Sequence, residues 1–142
     1  MRVVLDTCVM VAALRSDRGA SRQLLLAAFA RRYVLLASVP LMMEYEAVLV
    51  RPEHLEPACL SAGDVNEILA ALAATVEPVR LAFLWRPMLR DPADEMILET
   101  AANGRADLLV TFNIRHFTQV AGRFGIDVVS PPEAWRRLRK VQ

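Results

Sequence analysis

Read for its apolar and polar positions, the chain alternates short apolar runs with longer segments whose apolar residues recur every three or four positions. Val3-Val4-Leu5 is a run that stops on Asp6, the pattern of a buried strand. One or two helical turns follow from Val9 to Leu14, and Ser16-Asp17-Arg18-Gly19 breaks them. From Ala20 to Arg32, the residues Leu24, Leu25, Ala28 and Phe29 share a face with arginines at the ends, which predicts a helix. Tyr33 to Ala37 is β-rich and apolar and reads as the second strand. Pro40 opens a helix to about Val50, and Arg51 to Pro57, with two prolines, reads as a loop. Ser61 or Asp64 caps a helix running to about Thr75, and Val76 to Leu81 is a weaker strand candidate interrupted by Pro78. Asp91 as N-cap with Pro92 at the first helical position starts a helix that Gly104 ends. Leu108 to Thr111 and Ile126 to Val129 are two further strands. Ser130-Pro131-Pro132-Glu133 is a capping box opening a last helix.

Strands that alternate with amphipathic helices predict an α/β protein: a central, mainly parallel sheet of four or five strands, the Asp6 strand in the middle, helices on both faces. No repeat or low-complexity linker divides the chain, so residues 1–142 read as one domain. The apolar content of 55% excludes disorder. No run reaches the roughly 20 apolar residues needed to cross a bilayer, so no membrane association is expected. Asp6 interrupts what would be the core of a signal peptide, so a cytoplasmic location is expected. All 17 basic residues but Lys140 are arginine, a preference that suits phosphate recognition and that a GC-rich genome would also give. Cys8 and Cys59 lack metal-site spacing and read as structural.

Four positions converge at the carboxyl edge of such a sheet. Asp6 ends the first strand, Glu44 lies one turn into the helix after the second, Asp94 sits in the first turn of the helix before the third clear strand, and Asn113 follows that strand. Carboxylates brought together repel unless a cation balances them. Mg²⁺ or Mn²⁺ is the natural ion, being hard and oxygen-seeking, and the three carboxylates are expected within about 4–8 Å of one another for one or two ions to be shared. On the same argument, Asp6→Asn is expected to melt at or above the wild-type temperature without metal.

The chain resembles the PIN-domain ribonucleases, in particular the toxin components of type II toxin–antitoxin pairs (VapC-like). The matching segments are Val4-Leu5-Asp6-Thr7-Cys8-Val9, Ser38 to Glu44, Arg90-Asp91-Pro92-Ala93-Asp94-Glu95, Ala106 to Asn113, His116-Phe117 and Ser130 to Glu133. They run in order along nearly the whole chain. The resemblance implies a three-layer α/β/α fold, an endoribonuclease acting through Mg²⁺ or Mn²⁺ held by Asp6, Glu44 and Asp94, an RNA substrate, a cognate antitoxin and a homodimer. Many relatives carry Asp where this chain has Asn113, although a toxin-like branch has Thr-Phe-Asn. In that branch an acid often stands at the position of His116.

Plainer readings stand beside these. Asp6 can be a strand-end turn residue and Glu44 a solvated helix residue. Asp91 reads as the N-cap, with a role near the metal open; Asp94 and Glu95 can simply favour the helix dipole. Thr7 and Thr111 can be ordinary residues, or their hydroxyls can orient a carboxylate or a metal-bound water. His116 can be a base, a phosphate contact, a ligand or an ordinary histidine of a surface loop. Asp107 reads as a strand-entry cap, and the Arg136 to Lys140 cluster as a solvated helix end or a contact for RNA or a partner. Phosphatases and receivers that begin with a strand-end Asp want an Asp at position 8 or a nearby Lys; here stand Cys8 and a single, C-terminal Lys140. No glycine-rich phosphate loop is present. The alternative to the enzyme is a degraded PIN module that binds RNA or protein without cleaving, and Asn113 is the feature favouring it.

Overall fold

The computed structural model describes residues 1–83, 89 and 91–141. Its strands are β1 (Arg2–Leu5), β2 (Val34–Ala37), β3 (Glu77–Pro78), β4 (Leu108–Val110) and β5 (Asp127–Val129). They form one sheet in the order β3-β2-β1-β4-β5 with every neighbour parallel. The Asp6 strand is central, as the alternation predicts. Val3, Val4, Leu5, Leu36, Leu109 and Val110 are fully buried, which a sheet covered on both faces requires.

The helices are α1 (Thr7–Arg15), α2 (Ala20–Phe29), α3 (Val39–Leu49), α4 (Pro52–Ala58), α5 (Ala62–Thr75), α6 (Pro92–Asn103), α7 (Ile114–Ala121) and α8 (Pro131–Val141). A 3₁₀ turn, Gly122–Phe124, leads from α7 to β5. Helix α6 lies across β1, β2 and β4 and meets α7, whereas α1, α2 and α8 form a continuous layer. Right-handed crossovers in the two directions away from β1 place these layers on opposite faces, giving the three-layer α/β/α arrangement.

Two expectations are corrected. The segment from Arg51 to Pro57 is not a loop: Pro52 begins α4, and Pro57 stands one residue before its end. Proline is favoured at the first helical position, and near the last turn its missing N–H removes a single bond. His116 does not sit in a surface loop but on α7, which Phe117 and Ala121, both fully buried, seat against the core. Smaller differences concern ends. Helix α2 stops at Phe29, with Arg31 in left-handed backbone at φ 57°. Strand β3 is only two residues long, and Pro78 is tolerated there because β3 is an edge. Ser130 caps α8 through the Glu133 amide at 3.4 Å, but the carboxylate of Glu133 turns to Arg136 and Arg137 instead of closing the box. Those two arginines hold its carboxyl down at about 2.

Gly104 ends α6 in ordinary helical backbone. Its need for glycine is one of space, since a Cβ there would stand 2.9 Å from the Thr100 carbonyl oxygen, 2.9 Å from Val79 and 3.0 Å from Leu36. This close approach sets α6 down on the sheet, and the left-handed residue that turns the chain toward β4 is Arg105.

Candidate active site

The order of strands reverses at β1. From it the chain steps outward through β2 to β3, then crosses back to β4 and β5. In open parallel sheets the crevice beyond the carboxyl ends at such a reversal is where ligands bind. Asp6 and Thr111 are the residues that follow β1 and β4, and the ladder runs one step beyond the strands to join them: the Asp6 amide donates to Val110 at 2.9 Å and the Thr111 amide to Val129 at 3.0 Å.

Asp6 is buried and serves as N-cap of α1. Its Oδ1 accepts from the Thr7 amide at 2.7 Å. Its Oδ2 accepts from the Thr111 hydroxyl at 2.7 Å and the Cys8 thiol at 3.4 Å. Thr111 Oγ1 in turn accepts from the Asn113 amide at 2.9 Å. Both oxygens are therefore oriented by donors, three in all. Thr7 reaches Asp6 through its backbone, Thr111 through its hydroxyl. Burial and then the Asp6 charge push the Cys8 thiol up to about 11, so at neutral pH it stays protonated and donates. Cys8 is thus more than a packing residue; Cys59 is exposed at the left-handed end of α4.

Asp94 lies in the first turn of α6, behind its N-cap Asp91, whose side chain accepts from the Ala93 amide at 2.9 Å. The Asp94 carboxylate meets His116 Nδ1 at 2.9 Å. Its carboxyl is raised above the ordinary value by desolvation first; the charges of Asp91 and Asp6 add to this, and the His116 hydrogen bond opposes it. Asp91, Asp94, Arg115, His116 and Gln119 line a pocket of about 460 Å³. Glu95, next to Asp94, turns away and accepts from the Leu89 amide at 3.1 Å. Arg90, part of the sequence motif, lies outside the described residues.

Glu44 is half-buried on α3, and Glu46 is exposed on the same helix. The adjoining Tyr45 is fully buried, and its hydroxyl donates to the Leu5 carbonyl one residue before Asp6. Ser38 caps α3 through the Leu41 amide and hydrogen-bonds Thr100 of α6 at 2.7 Å. These bonds tie α3 to both the central strand and α6. Asp6 and Asp94 feel each other's charge, but among the described residues no three of His, Cys, Asp and Glu gather closely enough to surround one ion. Asn113 is exposed at the start of α7. The Arg136 to Lys140 cluster is on α8, which returns from this edge; Arg137 pairs with Asp127 at the far end of β5, 3.0 Å away.

Sequence reasoning missed Cys8 and Tyr45 as neighbours of the site and Arg115 in its pocket. The spacing of Phe117 and Ala121 at i, i+4 was a signal for α7 and so for the side chains it carries.

The raised carboxyl of Asp94 has a measurable consequence. Between the ordinary value of 3.8 and its raised value, the folded protein keeps a proton that the unfolded chain has released. Stability therefore falls as pH rises through that window and levels off above it. In EDTA, scanning calorimetry is expected to show this decline in the stability difference between wild type and Asp94→Asn, in which the opposite contribution of Glu133 cancels.

A family model described as PIN domain matches residues 2–115, and the chain belongs to the PIN-domain family. Its fold is also that of a chain in the crystal structure of VapBC2 from Rickettsia felis bound to a DNA fragment from their promoter. The TM-score is 0.64 at 15% identity, covering 92% of this chain and 98% of that one. No curated protein sequence matches the chain. Among the described residues no helix is long and apolar enough to cross a membrane.

Proposed function

We propose that this protein is a divalent-metal-dependent endoribonuclease, the toxin of a type II toxin–antitoxin pair, acting in the cytoplasm. One observation carries the reading: a buried Asp6 at the switch point of the sheet, both oxygens fixed by donors, with its charge facing a second buried carboxylate, Asp94. Two such carboxylates fit Mg²⁺ or Mn²⁺, which bind through one or two carboxylates and keep several waters for themselves and the substrate phosphate. A tight three-residue cage is not required. Asp6 and Asp94 would hold the ion, with Glu44 supplying charge from α3. When bound, the ion polarises the phosphodiester, acidifies a water and steadies the leaving oxygen.

The chain's own residues hold these groups in place. Thr7, Cys8 and Thr111 fix the direction of Asp6. His116 Nδ1 holds Asp94, and the residue lines the pocket beside it. Arg115 adds a cation to a pocket otherwise rich in carboxylate. The structural likeness to a component of VapBC2 supports an antitoxin partner. Exposed Val39 and Met43 on α3, beside an apolar groove of about 500 Å³, support self-association, which the mass in solution reads directly.

The test is cleavage of single-stranded RNA by purified protein. Activity is expected with Mn²⁺ or Mg²⁺, to vanish in EDTA and to return on adding metal. The second reading, a PIN module that binds without cleaving, draws on Asn113 and on the absence of a compact ligand cluster among the described residues. Wild type that binds no divalent ion by calorimetry and cuts nothing would establish that reading in place of the first.

A further inference from the structure

We infer that Phe112 is a stacking platform for an unpaired nucleobase of the RNA, seating the nucleotide next to the bond that is cut. The inference rests on the ribonuclease reading above and adds to it a residue and a subsite. Phe112 follows Thr111, whose hydroxyl is on Asp6 Oδ2, and on its other side the Asn113 amide donates back to Thr111 Oγ1. The backbone that carries the ring is thus fastened on both sides to the groups that orient Asp6. Despite this, the side chain is 53% exposed. A large aromatic ring whose backbone is held beside the groups that orient Asp6, and whose face is half open to solvent, is available to a partner from outside.

The ring borders a cavity of about 250 Å³ whose other walls include Ala12, Gly19, Ala20, Pro131 and Pro132. With Ser16 and Ser21, these residues are small or rigid and carry no charge, so they leave a largely apolar slot. Its volume is below the roughly 300–1,000 Å³ of sites for larger ligands and suits a single ring system. The phosphodiester bond at Asp6 is flanked by a nucleotide on each side, so one base must come to rest within a nucleotide's length of the carboxylate. Single-stranded RNA offers splayed bases that stack on aromatic side chains, and stacking tolerates any base because each has a π-face. Phe112 is next in the chain to Thr111, whose hydroxyl touches that carboxylate. An aliphatic side chain from a protein partner would fill the slot too, but it would not need the ring.

The probe is a short single-stranded RNA of mixed sequence carrying 2-aminopurine, used with Mn²⁺ for cleavage and in EDTA for binding. Wild type is compared with Phe112→Ala, Phe112→Leu and Phe112→Trp. Exposure of the side chain means that all should melt like wild type, and calorimetry checks this. The Ala and Leu variants are expected to bind RNA about tenfold more weakly, in line with stacking of one base, with loss of 2-aminopurine quenching and a higher KM. The Trp variant should keep affinity and quenching. If wild type cleaves RNA and Phe112→Ala binds, quenches and cleaves like it, the platform is wrong while the ribonuclease reading stands. An antitoxin that Phe112→Ala no longer binds, with RNA affinity intact, overturns it as well. If wild type neither binds nor cuts RNA in either condition, both fall.

Discussion

Asp6→Asn and Asp94→Asn are both expected to reduce RNA cleavage on the order of a thousandfold, while moving stability in opposite directions. Loss of a group that places charge at the reacting centre commonly costs a factor of about 10²–10³, and each substitution here removes a charge that the proposed ion needs. Their effects on folding differ because the two carboxylates live in different surroundings. Asp6 accepts from three donors. An amide nitrogen at either oxygen's position would face a donor, the Thr7 amide on one side or the Thr111 hydroxyl and Cys8 thiol on the other, and so leave a donor without its acceptor at a cost of about 1–3 kcal/mol. Asp94 is held above its ordinary value, so its surroundings disfavour the charge despite His116. A neutral isostere there should melt at or above wild type at neutral pH in EDTA. Calorimetry of the two variants beside a cleavage assay separates the cases. Equal melting temperatures would mean that the donors around Asp6 contribute nothing to the fold. The three donors around Asp6 make this outcome differ from the one expected from charge repulsion alone, which assigned the gain to Asp6→Asn.

Tyr45→Ala is expected to cost about 3–5 kcal/mol, as for other large buried aromatics, enough to unfold a large fraction of a protein of marginal stability. Tyr45 is fully buried, and its hydroxyl bridges α3 to the end of β1. Tyr45→Phe isolates the bridge from the packing. It should cost only about 1 kcal/mol, yet lower cleavage, because α3 carries Glu44 and its position relative to Asp6 is set by that bond. Denaturant unfolding gives the first quantity and kcat the second. A Phe variant with wild-type kcat would place Tyr45 among ordinary core residues.

The features legible in the sequence were those encoded by neighbours along the chain. Val3-Val4-Leu5 before Asp6 marked the central strand, and Asp91-Pro92 marked the start of α6, because burial and capping are local patterns. Prolines were ambiguous for the same local reason: Pro52 and Pro57 read as breakers until their positions in the helix were known. Helix α7 was hidden by Arg115, His116, Thr118 and Gln119, which outnumber its buried residues. The contacts around the carboxylates were not legible at all. Nothing near Tyr45 announces a bond to Leu5, and nothing near His116 announces Asp94, since each partner is brought close only by the crossover of strands. Asn113 was conspicuous in the sequence as a missing charge, whereas the structure gives its backbone a role through Thr111.

The bond between Thr111 and Asp6 joins residues 105 positions apart. At a synthesis rate of about 5–20 residues per second, roughly 5–20 s separate the appearance of the two on a ribosome. Throughout that interval β1 lacks β4, its neighbour on one side, and Asp6 lacks the hydroxyl that aims it. On the ribonuclease reading, a chain built this way would spare the messenger and the ribosome that are making it, because its proposed cutting edge stays open on one side until β4 has emerged. Stalled nascent chains ending before Thr111 are accordingly expected to leave RNA intact, with cleavage arising only after the fourth strand has emerged.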